Sequence, residues 1–168
     1  MYTTNDNGNN WQFEILSHEI TGISILAENK VLFSGYGYIG SSRVAGGDAV
    51  ILHAPSDFLV GVHAISLYNY IAIGNSGSIY RSINRGDSWK KITKLRKANI
   101  IDTEFAQNKL YAVGSNGACF YSIDLGETWK SINLKTTAQI NGISVADQYL
   151  NLAGSNGNVY RVFLADLD

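Results

Sequence analysis

The chain has few of the residues that would indicate a disulfide scaffold, a membrane protein or a nucleic-acid-binding protein. Its single cysteine, Cys119, excludes an intrachain disulfide. No apolar run approaches the roughly 18 residues of a membrane span, and the opening MYTTNDNGNNW lacks the charged and apolar regions of a secretory signal. With 13 basic and 14 acidic residues, there is no basic excess to bind a phosphate backbone. We therefore expect no nucleic acid and no membrane insertion, and a cytoplasmic or particle-associated location.

Signals for helices are equally scarce. No stretch of roughly twelve residues keeps a helical period of apolar side chains. The chain has one proline and one methionine but 17 glycines, 10 tyrosines and 6 phenylalanines. Short runs of Val, Ile, Tyr and Phe alternate with clusters of Gly, Asn, Asp and Ser, a pattern that is typical of strands and turns. The composition predicts an all-β protein.

The sequence repeats itself every forty residues. Three segments align without gaps: IAIGNSGSIYRSINRGDSWKKI (71–92), YAVGSNGACFYSIDLGETWKSI (111–132) and NLAGSNGNVYRVF (151–163). The same spacing reaches upstream to VLFSGYGYIGSS (31–42), and a second repeated element starts at Ile20, Val60, Ile100 and Ile140. Each unit contains four short strands, the second and third joined by a GNSG or GSNG hairpin. This predicts one β-propeller domain over 1–168, with about four blades of four antiparallel strands.

One eight-residue phrase recurs within this repeat, as SINRGDSW (82–89), SIDLGETW (122–129) and TNDNGNNW (4–11). The phrase resembles the Asp-box, or BNR repeat, of sialidases, sortilin-type receptors and photosystem II assembly factors. The resemblance implies that each box is the hairpin between the third and fourth strands, on the outer rim of a blade. A degenerate copy occupies 42–49. The predicted structural box residues are Thr4, Asp6, Gly8, Trp11, Ser82, Asn84, Gly86, Trp89, Ser122, Asp124, Gly126 and Trp129.

The residue chemistry of the box also favours a structural role. Hydroxyl and carboxylate oxygens can accept hydrogen bonds from nearby backbone N–H groups, and glycine readily adopts a left-handed conformation. The indole of tryptophan can pack between adjacent sheets. An active site is seldom written three times in one chain, so we interpret the boxes as scaffold.

Catalytic and metal sites are not indicated. The histidines, His18, His53 and His63, show no metal-ligand spacing, and the alignment places His63 with Ile23 and Ile143, as a packed strand residue. Cys119 has no neighbouring base, which favours a buried thiol. The arginine cluster and tyrosine nucleophile of a sialidase are not recognisable. We expect no enzyme activity, no cofactor and no metal.

Two features are candidate binding surfaces. The first is a Tyr-Arg pair repeated on third strands, and the second is KKITKLRK (90–97), which is rich in basic residues and suited to an acidic partner. The candidate residues are Tyr80, Arg81, Tyr160, Arg161, Lys90, Lys91, Lys94, Arg96 and Lys97. The structural alternatives are interblade packing for the first and a solvated strand edge for the second.

Three functions follow from these observations: a non-catalytic scaffold that binds a protein partner, a glycan- or receptor-binding module such as a phage-particle component, and, least favoured, a sialidase-type hydrolase. The periodicity also predicts how the ring is completed. The hairpin at 2–15 and the strands at 140–163 are complementary and should build one composite blade. We expect closure through a homo-oligomer rather than within one four-bladed chain.

Overall fold

The computed structural model describes residues 2–4, 6–13, 19–27, 30–43, 50–53, 55–95 and 98–167. Strands dominate this part of the chain, and helical turns within it are confined to three short 3-10 segments, Ser115–Gly117, Ser155–Gly157 and Leu164–Leu167. No helix among the described residues could cross a lipid bilayer. The all-β prediction is confirmed.

The strands form consecutive antiparallel sheets, which we call blades. A short hairpin pairs β1 (Tyr2–Thr3) with β2 (Gln12–Phe13). The first blade contains β3 (Ile20–Ala27), β4 (Lys30–Gly35), β5 (Tyr38–Arg43) and β6 (Val50–His53). The second contains β7 (Leu59–Ala64), β8 (Tyr70–Gly74), β9 (Ser78–Ser82) and β10 (Lys90–Lys94). The third contains β11 (Ile100–Ala106), β12 (Lys109–Gly114), β13 (Cys119–Ser122) and β14 (Lys130–Ser131). The fourth contains β15 (Ile140–Ala146), β16 (Tyr149–Gly154) and β17 (Val159–Phe163).

The hairpins between second and third strands form where the glycine-rich loops predicted them. Asn116 and Asn156 adopt φ values of 56° and 60°, and Gly77 adopts 81°. Asparagine and glycine are the residues that adopt this left-handed conformation most readily. The loops are therefore turns that reverse the chain.

The forty-residue spacing is wrong by one residue at two strands, β4 and β7. Gly35 of β4, rather than Ser34, is equivalent to Gly74, because the hairpin that follows β4 is one residue shorter than the others. In the second blade, β7 begins at Leu59 rather than Val60, and Leu59 is equivalent to Ile20. The cause is the loop that follows Ala64, which is one residue longer than the equivalent loop of the third blade.

This shift corrects the predicted equivalents of His63 in the other blades. The pairing register makes His63 equivalent to Ser24 and Glu104, not to Ile23 and Ile143. A shift of one residue transfers a strand side chain to the opposite face of its sheet. His63 therefore lies on a row of polar side chains, on the face that contacts the next blade.

Most of the core lies between blades, apart from a smaller cluster of Val31, Phe33 and Tyr38 in the first blade. The contact between the first and second blades buries Leu32 and Ile39 against Tyr70 and Tyr80. The next contact buries Ile71, Ile73, Leu110 and Ala112, and the last buries Tyr111, Val113, Leu150 and Leu152. Each blade therefore stabilises its neighbours by covering their apolar faces.

Candidate functional site on the rim between the second and third blades

The boxes of the second and third blades share one set of local hydrogen bonds. The N–H of Gly86 donates to Ser82 Oγ at 2.9 Å, and that of Gly126 donates to Ser122 Oγ at 2.8 Å. Asp124 Oδ1 accepts hydrogen bonds from Ser122 Oγ and from the N–H of Thr128, at 2.8 and 2.9 Å. These bonds close each loop on itself.

The glycine of the box is required by conformation and by space. Gly86 and Gly126 have φ values of 90° and 87°, in the left-handed region. A Cβ on Gly86 would lie 2.7 Å from Leu52 Cδ1, across the contact with the first blade. The box therefore also fits the neighbouring blade.

The N-terminal box has the same local bonds although it is exposed. The N–H of Gly8 donates to Thr4 Oγ1 at 3.0 Å, and the N–H of Asn10 donates to Asp6 Oδ1 at 2.8 Å. Hydrogen bonds from the backbone and then the side chain of Asn10, with one from Thr4, lower the pKa of Asp6 to about 2. The hydrogen-bonded conformation therefore does not depend on burial.

The three box tryptophans differ in their packing. Each indole N–H donates to the carbonyl of the box glycine, at 3.0 to 3.1 Å. Trp129 packs on the cluster between the second and third blades, and Trp89 stacks on His53 with ring centroids 6.2 Å apart. Trp11, in contrast, is 59% exposed. Packing between blades is therefore seen for Trp89 and Trp129.

A groove of about 430 Å³ lies on the rim where the second blade meets the box of the third. Arg81 of β9 and Glu127 of the third-blade box form an ion pair across this boundary, at 3.2 Å. Lys90 lies opposite Arg81 in the strand pairing and is exposed. The Nε atom of Arg81 is buried and has no hydrogen-bond partner in the described part of the chain. The full lining is Arg81, Ile83, Ser88, Trp89, Lys90, Ile92 and Glu127.

The other members of this candidate surface lie on the opposite face of the same two strands. Tyr80 is buried and donates its hydroxyl hydrogen to Asp57, and Lys91 Nζ lies 3.2 Å from the same carboxylate. The hydrogen bond from Tyr80 lowers the pKa of Asp57 most, and Lys91 lowers it further against the opposing effect of burial. Strand alternation therefore separates Tyr80 and Lys91 from Arg81 and Lys90.

The second Tyr-Arg pair is not brought to the groove, because the third blade lies between. Tyr160 lies on the fourth blade with its hydroxyl 3.0 Å from Thr136 Oγ1, and Arg161 Nε donates to Asn151 Oδ1 at 3.0 Å. Of the basic segment 90–97, the backbone of Lys94 lies in β10, whereas Arg96 and Lys97 are outside the described residues.

Sequence reasoning missed the two acidic partners, Asp57 and Glu127. Asp57 lies in the connection that precedes β7, and Glu127 lies in a box of the next blade. Neither belongs to a motif that predicts pairing with Tyr80 or Arg81. The usable signal was the repeat itself, since it places each box beside the third strand of the preceding blade.

His63 and Cys119 are packed against the protein interior. His63 Nε2 lies 2.9 Å from Thr103 Oγ1, and burial lowers the pKa of His63 to about 4. Burial raises the pKa of Cys119 to about 12. Among the described residues, which exclude His18, no group of three or more His, Cys, Asp or Glu side chains could hold a metal ion.

The sequence of the repeat matches a known family in part. The model of the family described as sortilin, neurotensin receptor 3, matches residues 77–153, which include the boxes of the second and third blades. No functionally curated protein has a sequence that matches this chain. The chain is a β-propeller of Asp-box repeats.

Solved structures share the fold at low sequence identity. The computationally designed protein Ika4 is 13% identical with a TM-score of 0.69, over 91% of this chain and 96% of its own. YCF48 bound to a D1 peptide is 14% identical with a TM-score of 0.77, over 98% of this chain and 58% of its own. The designed protein Ika8 is 13% identical with a TM-score of 0.65, over 86% of this chain and 45% of its own. This propeller therefore spans about half the length of two of these three structures.

Proposed function

We propose that this chain is a non-catalytic propeller scaffold that binds a protein partner in the groove between the second and third blades. The groove itself supports the proposal most directly. It combines apolar walls, two cationic side chains and a position on the rim, where a segment of another protein can reach it. The propeller fold also favours a protein-binding scaffold.

The chemistry of the groove favours an apolar side chain next to an acidic one. Ile83 is 67% exposed, and Ile92 and Trp89 extend the apolar surface beside it. Arg81 has a single salt-bridge partner among the described residues, Glu127, and its side chain is 24% exposed to the groove. A guanidinium can bind a carboxylate through two parallel hydrogen bonds, and Lys90 adds a second positive charge. We therefore propose a peptide segment with an aspartate or glutamate beside a large aliphatic or aromatic residue.

The structural comparison supports a peptide ligand. YCF48, which shares the fold, has been solved with a D1 peptide bound. The glycan-binding alternative has no specific observation in its favour and becomes an outcome of the test.

The test is selection from a displayed random peptide library, followed by affinity measurement on the enriched peptides. We expect enriched peptides to contain an acidic residue beside an apolar one. Lys90→Glu and Arg81→Gln should each weaken binding about tenfold or more, since charge-assisted hydrogen bonds contribute about 1.5–3 kcal/mol.

A matched control comes from the repeat. Lys130 occupies in the third blade the strand position of Lys90, but it lies opposite Tyr121 instead of an arginine. Lys130→Glu should leave peptide affinity unchanged. Equal loss in Lys90→Glu and Lys130→Glu would indicate only a general charge effect, and binding confined to a glycan array would contradict the proposed partner class.

A further inference from the structure

The inner strands show one repeated contact between consecutive blades. β3 packs on β7, β7 on β11, and β11 on β15. Ser24 Oγ accepts a hydrogen bond from the N–H of Ala64 at 3.0 Å, and Glu104 Oε2 accepts one from the N–H of Val145 at 2.9 Å. In both cases the side chain at one position of a blade binds the backbone of the next blade.

The fourth blade has a side chain at this position, Ser144, that binds no backbone among the described residues. The pairing register makes Ser144 equivalent to Ser24 and Glu104, and makes Ile25 equivalent to Ala64 and Val145. Ser144 is exposed, and its hydroxyl has no hydrogen bond within the described part of the chain. The acceptor at one end of the blade series is therefore open, and Ile25 is the equivalent donor position at the other end.

The apolar side chains at the two ends are also uncovered. Ile23 is 54% exposed although its equivalent Val62 is 1% exposed, and Ile25 is 77% exposed. At the other end, Val159 is 79% exposed although its equivalent Cys119 is 2% exposed. We call the side of the first blade that carries Ile23, Ile25, Val31 and Phe33 the first-blade face.

The opposite end of the blade series, which we call the fourth-blade face, contains a groove of about 330 Å³, lined by Gly142, Ile143, Ser144, Asn151, Leu152, Ala153 and Val159. Its glycine leaves space for a neighbouring strand. A Cβ on Gly61 would lie 1.9 Å from Thr103 Oγ1 of the following blade, and one on Gly22 would lie 3.0 Å from the Cα of Gly61. At Gly142, in contrast, only Ala153 of the same blade lies within 4 Å among the described residues, at 3.7 Å.

Part of the first-blade face is already covered by its own chain. Val31 and Phe33 are buried in a cluster with Tyr38. The uncovered part is thus the inner strand, which is where the repeated interblade hydrogen bond forms. A docking contact on this face would centre on β3.

We propose that a second copy of this chain closes the ring, with the first-blade face of each copy packed on the fourth-blade face of the other. The two faces are complementary because they are the two sides of a contact that already occurs three times within the chain. The chain length is also consistent with this closure. This chain superposes on 45% of Ika8, so two copies together would be similar in length to Ika8. Bare sheet faces of this kind favour association.

Crosslinking tests the predicted pairing directly. In the double variant Ser144→Cys/Ile25→Cys, a short bismaleimide should join the new thiol at position 144 of one copy to the new thiol at position 25 of the other, giving a covalent dimer on a denaturing gel. Each single variant and the wild type should remain uncrosslinked, because the natural Cys119 is buried. A crosslink within one chain, at monomer mass, would overturn the proposal in favour of a closed four-bladed ring.

Light scattering with size-exclusion chromatography gives a second readout on the unmodified protein. We expect twice the 18.3 kDa of one chain, and a monomer in Val159→Asp or Ile25→Asp. Ile123→Asp is the matched control, since Ile123 is 59% exposed on the rim, away from both faces, and should stay dimeric. A stable wild-type monomer, or a larger assembly, would overturn the proposal. The peptide groove lies elsewhere on the rim, so either proposal can fail alone.

Discussion

Replacing Trp129 with alanine tests whether the box joins neighbouring blades. Trp129 is half-buried, packs on the apolar cluster between the second and third blades, and donates its indole N–H to Gly126. Truncating a tryptophan in a core costs about 3–5 kcal/mol. Because Trp129 is only half-buried, we expect the lower value, about 3 kcal/mol of unfolding free energy. For a chain of this length, that loss corresponds to a melting temperature lower by about 6–12 °C.

Trp11→Ala separates interblade packing from the local bond. Trp11 makes the equivalent indole bond, to Gly8 at 3.0 Å, but is 59% exposed. Its loss should cost only the net value of one hydrogen bond, about 1 kcal/mol. The difference of about 2 kcal/mol between the two variants measures packing between blades.

Urea denaturation followed by far-ultraviolet circular dichroism is the suitable assay, since it does not depend on tryptophan fluorescence. Protein concentration must be the same throughout, because association would add to the apparent stability. If Trp129→Ala and Trp11→Ala cost the same, or if Trp129→Ala is neutral, Trp129 does not stabilise the blade contact and the argument fails.

Three further predictions concern titration and reactivity. Burial alone would raise the pKa of Asp124, but hydrogen bonds from Thr128 and Ser122 lower it below that of a free aspartate. The contribution of Asp124 to stability is therefore present above about pH 4 and is lost as pH falls through the lower pKa of the folded state. The urea midpoint of Asp124→Asn should fall less on acidification than that of the wild type, and equal falls would contradict this prediction. Folding lowers the pKa of His63 from about 6.5 in an unfolded chain to about 4, so the stability that neutral His63 contributes is present above about pH 6.5 and is lost as pH falls towards 4. His63→Ser introduces the residue found at the equivalent position 24 and should reduce the change in urea midpoint between about pH 7 and about pH 5. An unchanged pH dependence would show that His63 does not cause it. Cys119 is buried, and burial raises its pKa to about 12. Iodoacetamide should therefore modify Cys119 only when urea unfolds the protein, as measured by mass spectrometry. Rapid labelling of the native protein would contradict the burial of this thiol.

The repeat made the fold predictable, because each blade restates the same strands, turns and box. The prediction was wrong by one residue at β4 and β7, where a shorter hairpin and a longer loop change the register. An ungapped alignment cannot detect these two changes, because the repeats on either side of them keep the forty-residue spacing. His63 was consequently assigned to the wrong face of its strand.

The candidate site was predictable only in part. Sequence placed Arg81 and Lys90 near each other through the hairpin that joins their strands, but it grouped them with Tyr80 and Lys91, which lie on the opposite face. The ion pair between Arg81 and Glu127 joins two blades. Such a contact depends on the angle between blades, and no local pattern in the sequence encodes that angle.

The local hydrogen bonding of the box has a consequence for how such a chain changes in length. Because the N-terminal box keeps its conformation while exposed, the box forms without help from a neighbouring blade. A blade added or removed as a whole unit would then alter only the contacts at its two sides, while every internal turn stayed intact. Gene duplication or deletion in steps of one blade could therefore change the number of blades in a ring without requiring new turns.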